Sequence, residues 1–160
     1  MHVLNLHHQT YSTSKENLER ILASLATAND QLWPHEMWPA MRFKGGLNEG
    51  AKGGHPPIGY VVEVKKADHV VFRFNAPKGF IGTHEFNVTA KGQKTELCHA
   101  IQMQTRGVAT LMWVLAIRPL HDALLEDALA KVGQQLSENL AAPKWSLWVR
   151  LLRWGTKKLV

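Results

Sequence analysis

A chain of 160 residues is long enough to bury one real core and leaves little room for a second domain. Cys98 is the only cysteine, which excludes a disulfide within the chain and a cysteine-rich metal site. The net charge of +6 is concentrated at one end: Lys144, Arg150, Arg153, Lys157 and Lys158 occur without an intervening acid, and the remainder is close to neutral. A broad basic face for nucleic acid is thereby excluded from the body of the protein.

Leu4, Leu6 and His8 alternate with Asn5, His7 and Gln9, so residues 2 to 11 are expected to form a first strand. Thr13-Ser14-Lys15-Glu16 has the spacing of a capping box with Thr13 as N-cap, and the helix after it would bury Leu18, Ile21, Leu22 and Leu25. Asn29-Asp30 interrupts this helix. Residues 31 to 41, with Trp33-Pro34 and Trp38-Pro39, predict a second short helix or an irregular turn, and a strand can begin at Met41-Arg42-Phe43. Residues 45 to 57 are rich in glycine and proline and are expected to be a mobile rim loop; the Lys-Ser/Thr pair of a phosphate loop is missing.

From Ile58 to Thr105 the period is two. Tyr60, Val62 and Val64 share one parity; so do Val70, Phe72 and Phe74; Phe80, Gly82, His84, Phe86 and Val88; and Leu97, His99, Ile101 and Met103. Short turns join these runs, so the strands must be antiparallel, and the apolar face needs a cover. A Leu-rich helix, beginning near Ala109, kinked or restarted at Pro119 and ending near Gly133 to Leu136, is that cover. The expected class is α+β. We divide the chain into a folded domain over 1–142 and a basic amphipathic tail over 143–160. No secretory signal and no apolar run long enough to span a membrane are read from the sequence, so a cytoplasmic protein is expected.

His84 and His99 fall on the inward parity of adjacent strands. With the turn centred on Gly92-Gln93, Phe86 faces His99 and His84 faces Ile101, which makes the histidines diagonal neighbours about 7–8 Å apart. That is too far for a shared metal unless the side chains lean together, and no metal or other cofactor is expected. His7 or His8 offers a third imidazole, without anything to fix its geometry. His35-Glu36 lacks the second histidine of a zinc-protease helix. His121-Asp122 reads as a solvated hydrogen-bonding pair, and Glu126-Asp127 as the wet face of the last helix. Cys98 falls on the outer parity. The candidate ligand-binding residues are Trp33, Trp38, Tyr60, Phe72, Phe74, His84, Phe86, His99, Ile101, Met103 and Trp113, lining a partly hollow core between sheet and helix.

Taken together, the first strand, the helical pair, the antiparallel run with its Gly/Pro-rich loop, and the long C-terminal helix resemble the helix-grip fold. That is the fold of the START-like, or SRPBCC, superfamily of hydrophobic-ligand-binding proteins and polyketide cyclase/dehydrase-like proteins. The most specific stretches are Asp30-Gln31-Leu32-Trp33-Pro34, Gly79-Phe80-Ile81-Gly82-Thr83-His84, and Trp113 through Ile117-Arg118-Pro119-Leu120-His121-Asp122-Ala123-Leu124-Leu125-Glu126-Asp127. The resemblance covers residues 2 to 137. It implies a curved antiparallel sheet wrapped around the last helix, two short helices after the first strand, and a cavity between sheet and helix. The superfamily shares no universal catalytic residues, so fold alone does not decide function.

Three functions are therefore weighed. The first is a carrier or sensor of a small hydrophobic molecule, such as a lipid or a polyketide-like or aromatic compound. The second is a cyclase- or dehydratase-type enzyme with His84 or His99 as general acid/base. The third is a membrane-associated or assembly protein acting through the tail, where Trp145, Trp148, Arg150, Leu152 and Arg153 would meet a membrane surface or a second chain. Nucleic acid is not an expected partner.

Overall fold

A computed structural model describes residues 1–138 and 140–157. The alternating run becomes four successive strands: β4 (Ile58–Lys65), β5 (His69–Ala76), β6 (Phe80–Lys91) and β7 (Lys94–Thr105). Two-residue side-chain alternation puts Tyr60, Val62, Val70, Phe72, Phe74, His84, Phe86, Leu97, His99, Ile101 and Met103 on one buried face. The β6–β7 hairpin turns at Gly92, whose φ of 64° suits the left-handed region a tight turn requires. Its register is the expected one, with Phe86 opposite His99 and His84 opposite Ile101.

Strand β1 (His2–Tyr11) does not sit beside β2 (Arg42–Phe43). It pairs antiparallel with β7, giving a seven-stranded curved sheet in the order β1-β7-β6-β5-β4-β3-β2. Part of the expected rim loop is strand: β3 (Lys52–His55) pairs with both β2 and β4, because Gly53 and Gly54 allow neighbouring backbones to approach where a Cβ would collide.

Helix α1 (Lys15–Ala23) buries Leu18, Ile21 and Leu22 as its spacing demands. Its N-cap is Ser14, one residue later than expected: Ser14 Oγ accepts from the Asn17 amide, while Thr13 Oγ1 accepts from the Asn17 side chain. The second short helix is absent from residues 31 to 41, which form turns. Asp30 organises them by accepting from the amides of Ala26, Leu32 and Trp33, a competition with helical bonding that Asx side chains often win.

A continuous helical segment, Val108–Gln135, lies over the sheet as α2 (Val108–Met112), a π-helical turn (Trp113–Ile117) and α3 (Arg118–Gln135). By length and apolarity it is long enough to cross a membrane, contrary to the reading of the sequence, yet α3 buries Leu124, Leu125, Leu129 and Val132. The π turn ends at Ile117, two residues before Pro119 in the first turn of α3. Proline has no amide to bond the carbonyl four residues back, which here is Leu115. That carbonyl instead accepts from the Trp148 indole N–H at 2.8 Å, donated by helix α4 (Leu147–Lys157).

Candidate functional site

The apolar core carries an unusual density of imidazole. His84 on β6 stacks on Phe72 at 4.6 Å between ring centroids and lies 4.2 Å from Tyr60. His99 on β7 packs edge-on against Phe86 at 4.7 Å. Both histidines are at most 2% exposed. They do lean together: His84 Nδ1 is 3.1 Å from His99 Nε2, so one ring donates and the other accepts. The diagonal spacing of about 7–8 Å applies to backbones and not to side-chain tips.

Beyond His99 stands His121 on α3, 5.0 Å away between rings, and Trp113 is next at 6.1 Å. His55, on β3, is held at the other end of the cluster by Tyr60, whose hydroxyl lies 2.8 Å from its Nε2. His121 and His55 were not anticipated as core groups. The signal for His121 was its phase on the helix, one turn before the buried run Ala123–Leu125.

Charge is disfavoured throughout this cluster. Burial, followed by the neighbouring His121 and His55 imidazoles, holds His84 well below the ordinary imidazole range. Burial does the same for His99, reinforced by His121, His84, His7 and His55. Burial also lowers His121, against the opposing effect of Asp122, and raises the Tyr60 hydroxyl. The rings are therefore neutral at pH 7. Four of their nitrogens are buried without a hydrogen-bond partner: His84 Nε2, His99 Nδ1, and both nitrogens of His121. Buried polar atoms are nearly always paired, so four orphans in one cluster demand an explanation.

The residues expected to line a cavity are thus largely brought together as one buried cluster. Tyr60, Phe72, Phe74, His84, Phe86, His99, Ile101, Met103 and Trp113 are each at most 7% exposed and touch one another. Trp33 joins through His55, 4.9 Å away. Trp38 does not join: it packs on Trp145 and donates its indole N–H to Asp127. Open clefts lie elsewhere among the described residues. One of about 390 Å³ runs past His7, His8, Gln9, Glu126, Leu129 and Pro143; one of about 310 Å³ lies between Ala26, Asp30 and Met41.

Strand β1 has the opposite face inward from the one its leucines suggest. Val3 and Tyr11 are buried and fix the phase, with the Tyr11 hydroxyl donating to the Leu129 carbonyl at 2.7 Å. Asn5 and His7 consequently point at α3, and Leu4 and Leu6 are 68% and 55% exposed. Asp122 is not merely solvated. Its Oδ1 accepts from Asn5 Nδ2 at 2.9 Å and lies 3.1 Å from His7 Nε2.

Asp127 also departs from expectation. It is 6% exposed, and its Oδ2 accepts from the indoles of both Trp38 and Trp145 at 2.8 Å. The tail accordingly lies against the domain: Val149 is buried, Arg153 sits 4.4 Å over the Trp38 ring and donates to the Met37 carbonyl, and Arg150 is exposed. Leu147, Leu151 and Trp154 are exposed, Trp148 is about half exposed with its indole N–H on the Leu115 carbonyl, and Leu152 is half-buried. Removing the carboxylate leaves a buried indole donor unpaired. Asp127→Ala is expected to cost about 1–3 kcal/mol and to red-shift tryptophan emission as Trp145 comes away; unchanged melting and emission would contradict this anchoring.

No protein-family model and no curated protein sequence matches the chain. Solved structures do. A Thermobifida fusca protein studied by NMR is 10% identical, with a TM-score of 0.65 over 88% of this chain and 99% of its own. Crystalline CalU16 from Micromonospora echinospora is 12% identical, with a TM-score of 0.57 over 99% of this chain and 96% of its own. Ara h 8.0201 is 9% identical, with a TM-score of 0.55 over 86% of this chain and all of its own. This chain has the helix-grip fold. At these identities the likeness establishes the helix-grip architecture and leaves function to the site.

Proposed function

We propose that this is a START-like (SRPBCC) binding protein for a small hydrophobic molecule that carries a hydrogen-bonding group. The observation that carries this reading is the set of orphaned imidazole nitrogens on His84, His99 and His121, enclosed by aromatic side chains. A ligand with an apolar body and a polar head would satisfy both surroundings. Entry requires the buried cluster to open. The segment best suited to move is the start of the long helix, which exposes Val108, Leu111, Val114 and Leu115 and is interrupted by the π turn before Pro119. The protein then acts as carrier or sensor. Mass spectrometry of molecules released from purified protein is the test, followed by displacement of 8-anilinonaphthalene-1-sulfonate by the recovered compound. His99→Phe keeps the bulk and loses the hydrogen bond, so its affinity is expected to fall about 10-fold. Absence of both a co-purifying molecule and dye binding would sink the proposal.

The 3.1 Å contact between His84 and His99 supports a second reading, a cyclase- or dehydratase-type enzyme. Two neutral imidazoles in series, each with one free nitrogen, can accept a proton at one end and release it at the other. Turnover abolished by His84→Gln with ligand binding retained would favour this reading over a simple carrier.

A further inference from the structure

We propose that His7, His121 and Asp122 form a site for a divalent transition-metal ion, zinc by its ligand chemistry. The inference concerns the rim of the core and shares with the ligand reading above only the unpartnered nitrogens of His121; it departs from the sequence-based expectation of no metal. One ring nitrogen from each histidine and one carboxylate oxygen lie within 4.8 Å of one another. Zinc binds imidazole at about 2.0–2.1 Å and carboxylate at a similar distance, so tetrahedral ligands stand about 3.3 Å apart. Two of the three edges are already near that length: His7 Nε2 to Asp122 Oδ1 is 3.1 Å, and His121 Nδ1 to the same oxygen is 3.6 Å.

Several features favour a metal over a plain hydrogen-bond cluster. Both His121 nitrogens are buried without a partner, so the hydrogen bond between His7 and Asp122 does not complete the group. Asn5 Nδ2 donates to Asp122 Oδ1 and orients it, as outer groups do around metal-binding carboxylates. Arg118 Nε stands 3.6 Å from Asp122 Oδ2, leaving Oδ1 as the oxygen turned toward the histidines. The side chains of His7 and His121 are each 14% exposed and that of Asp122 is 31% exposed, so an ion can reach them. The phase of β1, fixed by Val3 and Tyr11, turns Asn5 and His7 inward to meet α3. Two imidazoles and a carboxylate leave a fourth position for water or for an oxygen or nitrogen donor of a ligand, and His7 borders the 390 Å³ cleft.

Chelator-treated full-length protein would be titrated with zinc chloride by calorimetry. One ion per chain with micromolar or tighter affinity is expected. Asp122→Asn and His121→Asn should each weaken binding at least 30-fold, while His69→Asn, at a half-buried His–Glu pair elsewhere, should leave it unchanged. Binding that survives both site substitutions, or no binding below 100 micromolar, overturns the proposal. Should the substitutions unfold the chain, anomalous diffraction at the zinc edge on the unaltered protein decides. A peak between His7, His121 and Asp122 supports the site, and a peak elsewhere or none rejects it.

Discussion

Lowering the pH from 6.5 to 5 in the presence of chelator is expected to remove about 2–4 kcal/mol of folding stability through His84 and His99 alone, with the buried His55 and His121 rings adding in the same direction. His84 and His99 are neutral in the folded core, with pKa values held well below the ordinary 6.5 by burial first and by neighbouring imidazoles second. In the unfolded chain the same rings take up protons once the pH falls below about 6.5. The unfolded state then binds more protons than the folded one. Stability is therefore complete above that pH and declines below it, by about 1.4 kcal/mol per pH unit for each ring kept neutral. Because the two rings share a hydrogen bond, one proton can be accommodated more readily than two, which sets the range.

The groups facing this pair are His55, Tyr60, His121 and His7, and none offers an anion that would favour imidazolium. Asp122 acts in a different window. Burial alone would raise its pKa, but the neighbouring His121 and His7 imidazoles and the Asn5 amide pull it below the usual carboxylate range, so its contribution is lost only below about pH 4. Urea midpoints at pH 7.5, 6.5 and 5 measure the effect, and His99→Phe should flatten the profile. Equal midpoints at pH 7.5 and 5 would show that the histidines are not buried as neutral rings.

Phe72→Ala is expected to destabilise the protein by about 3–5 kcal/mol. The ring is fully inaccessible and lies between His84, Tyr60 and Phe43, with centroid separations of 4.6, 5.7 and 5.7 Å. Truncation removes the transfer free energy of a phenyl group and leaves a void that strands on both sides cannot collapse to fill. For a chain of this size the melting temperature should fall by roughly 6–20 °C. The urea midpoint should drop with little change in slope, since the surface exposed on unfolding is nearly the same. The void would adjoin the unpaired His84 Nε2, so the variant should also take up a small apolar molecule such as benzene more readily than the parent. A loss below about 1 kcal/mol would mean that this side chain is not packed as described.

What the sequence determined by itself was the sheet and the identity of its inner face. A period of two is local, and a turn centred on Gly92-Gln93 sets which residues stand opposite, so the pairing of Phe86 with His99 needed no further information. The proline at position 119 likewise announced an interruption of the last helix. Tertiary structure decided the polar groups. Leu4 and Leu6 made the wrong face of β1 look buried, because the phase is set by Val3 and Tyr11 at its ends. Asp127 looked like a solvated residue beside Glu126 until Trp38 and Trp145, distant in sequence, brought two donors to it. His121 and Asp122 looked solvated for the same reason, since His7 and Asn5 reach them from the far end of the chain. An apolar side chain is satisfied by any apolar neighbours, so its pattern reveals its burial; a polar one is satisfied only by a particular partner, and that partner is chosen by the fold.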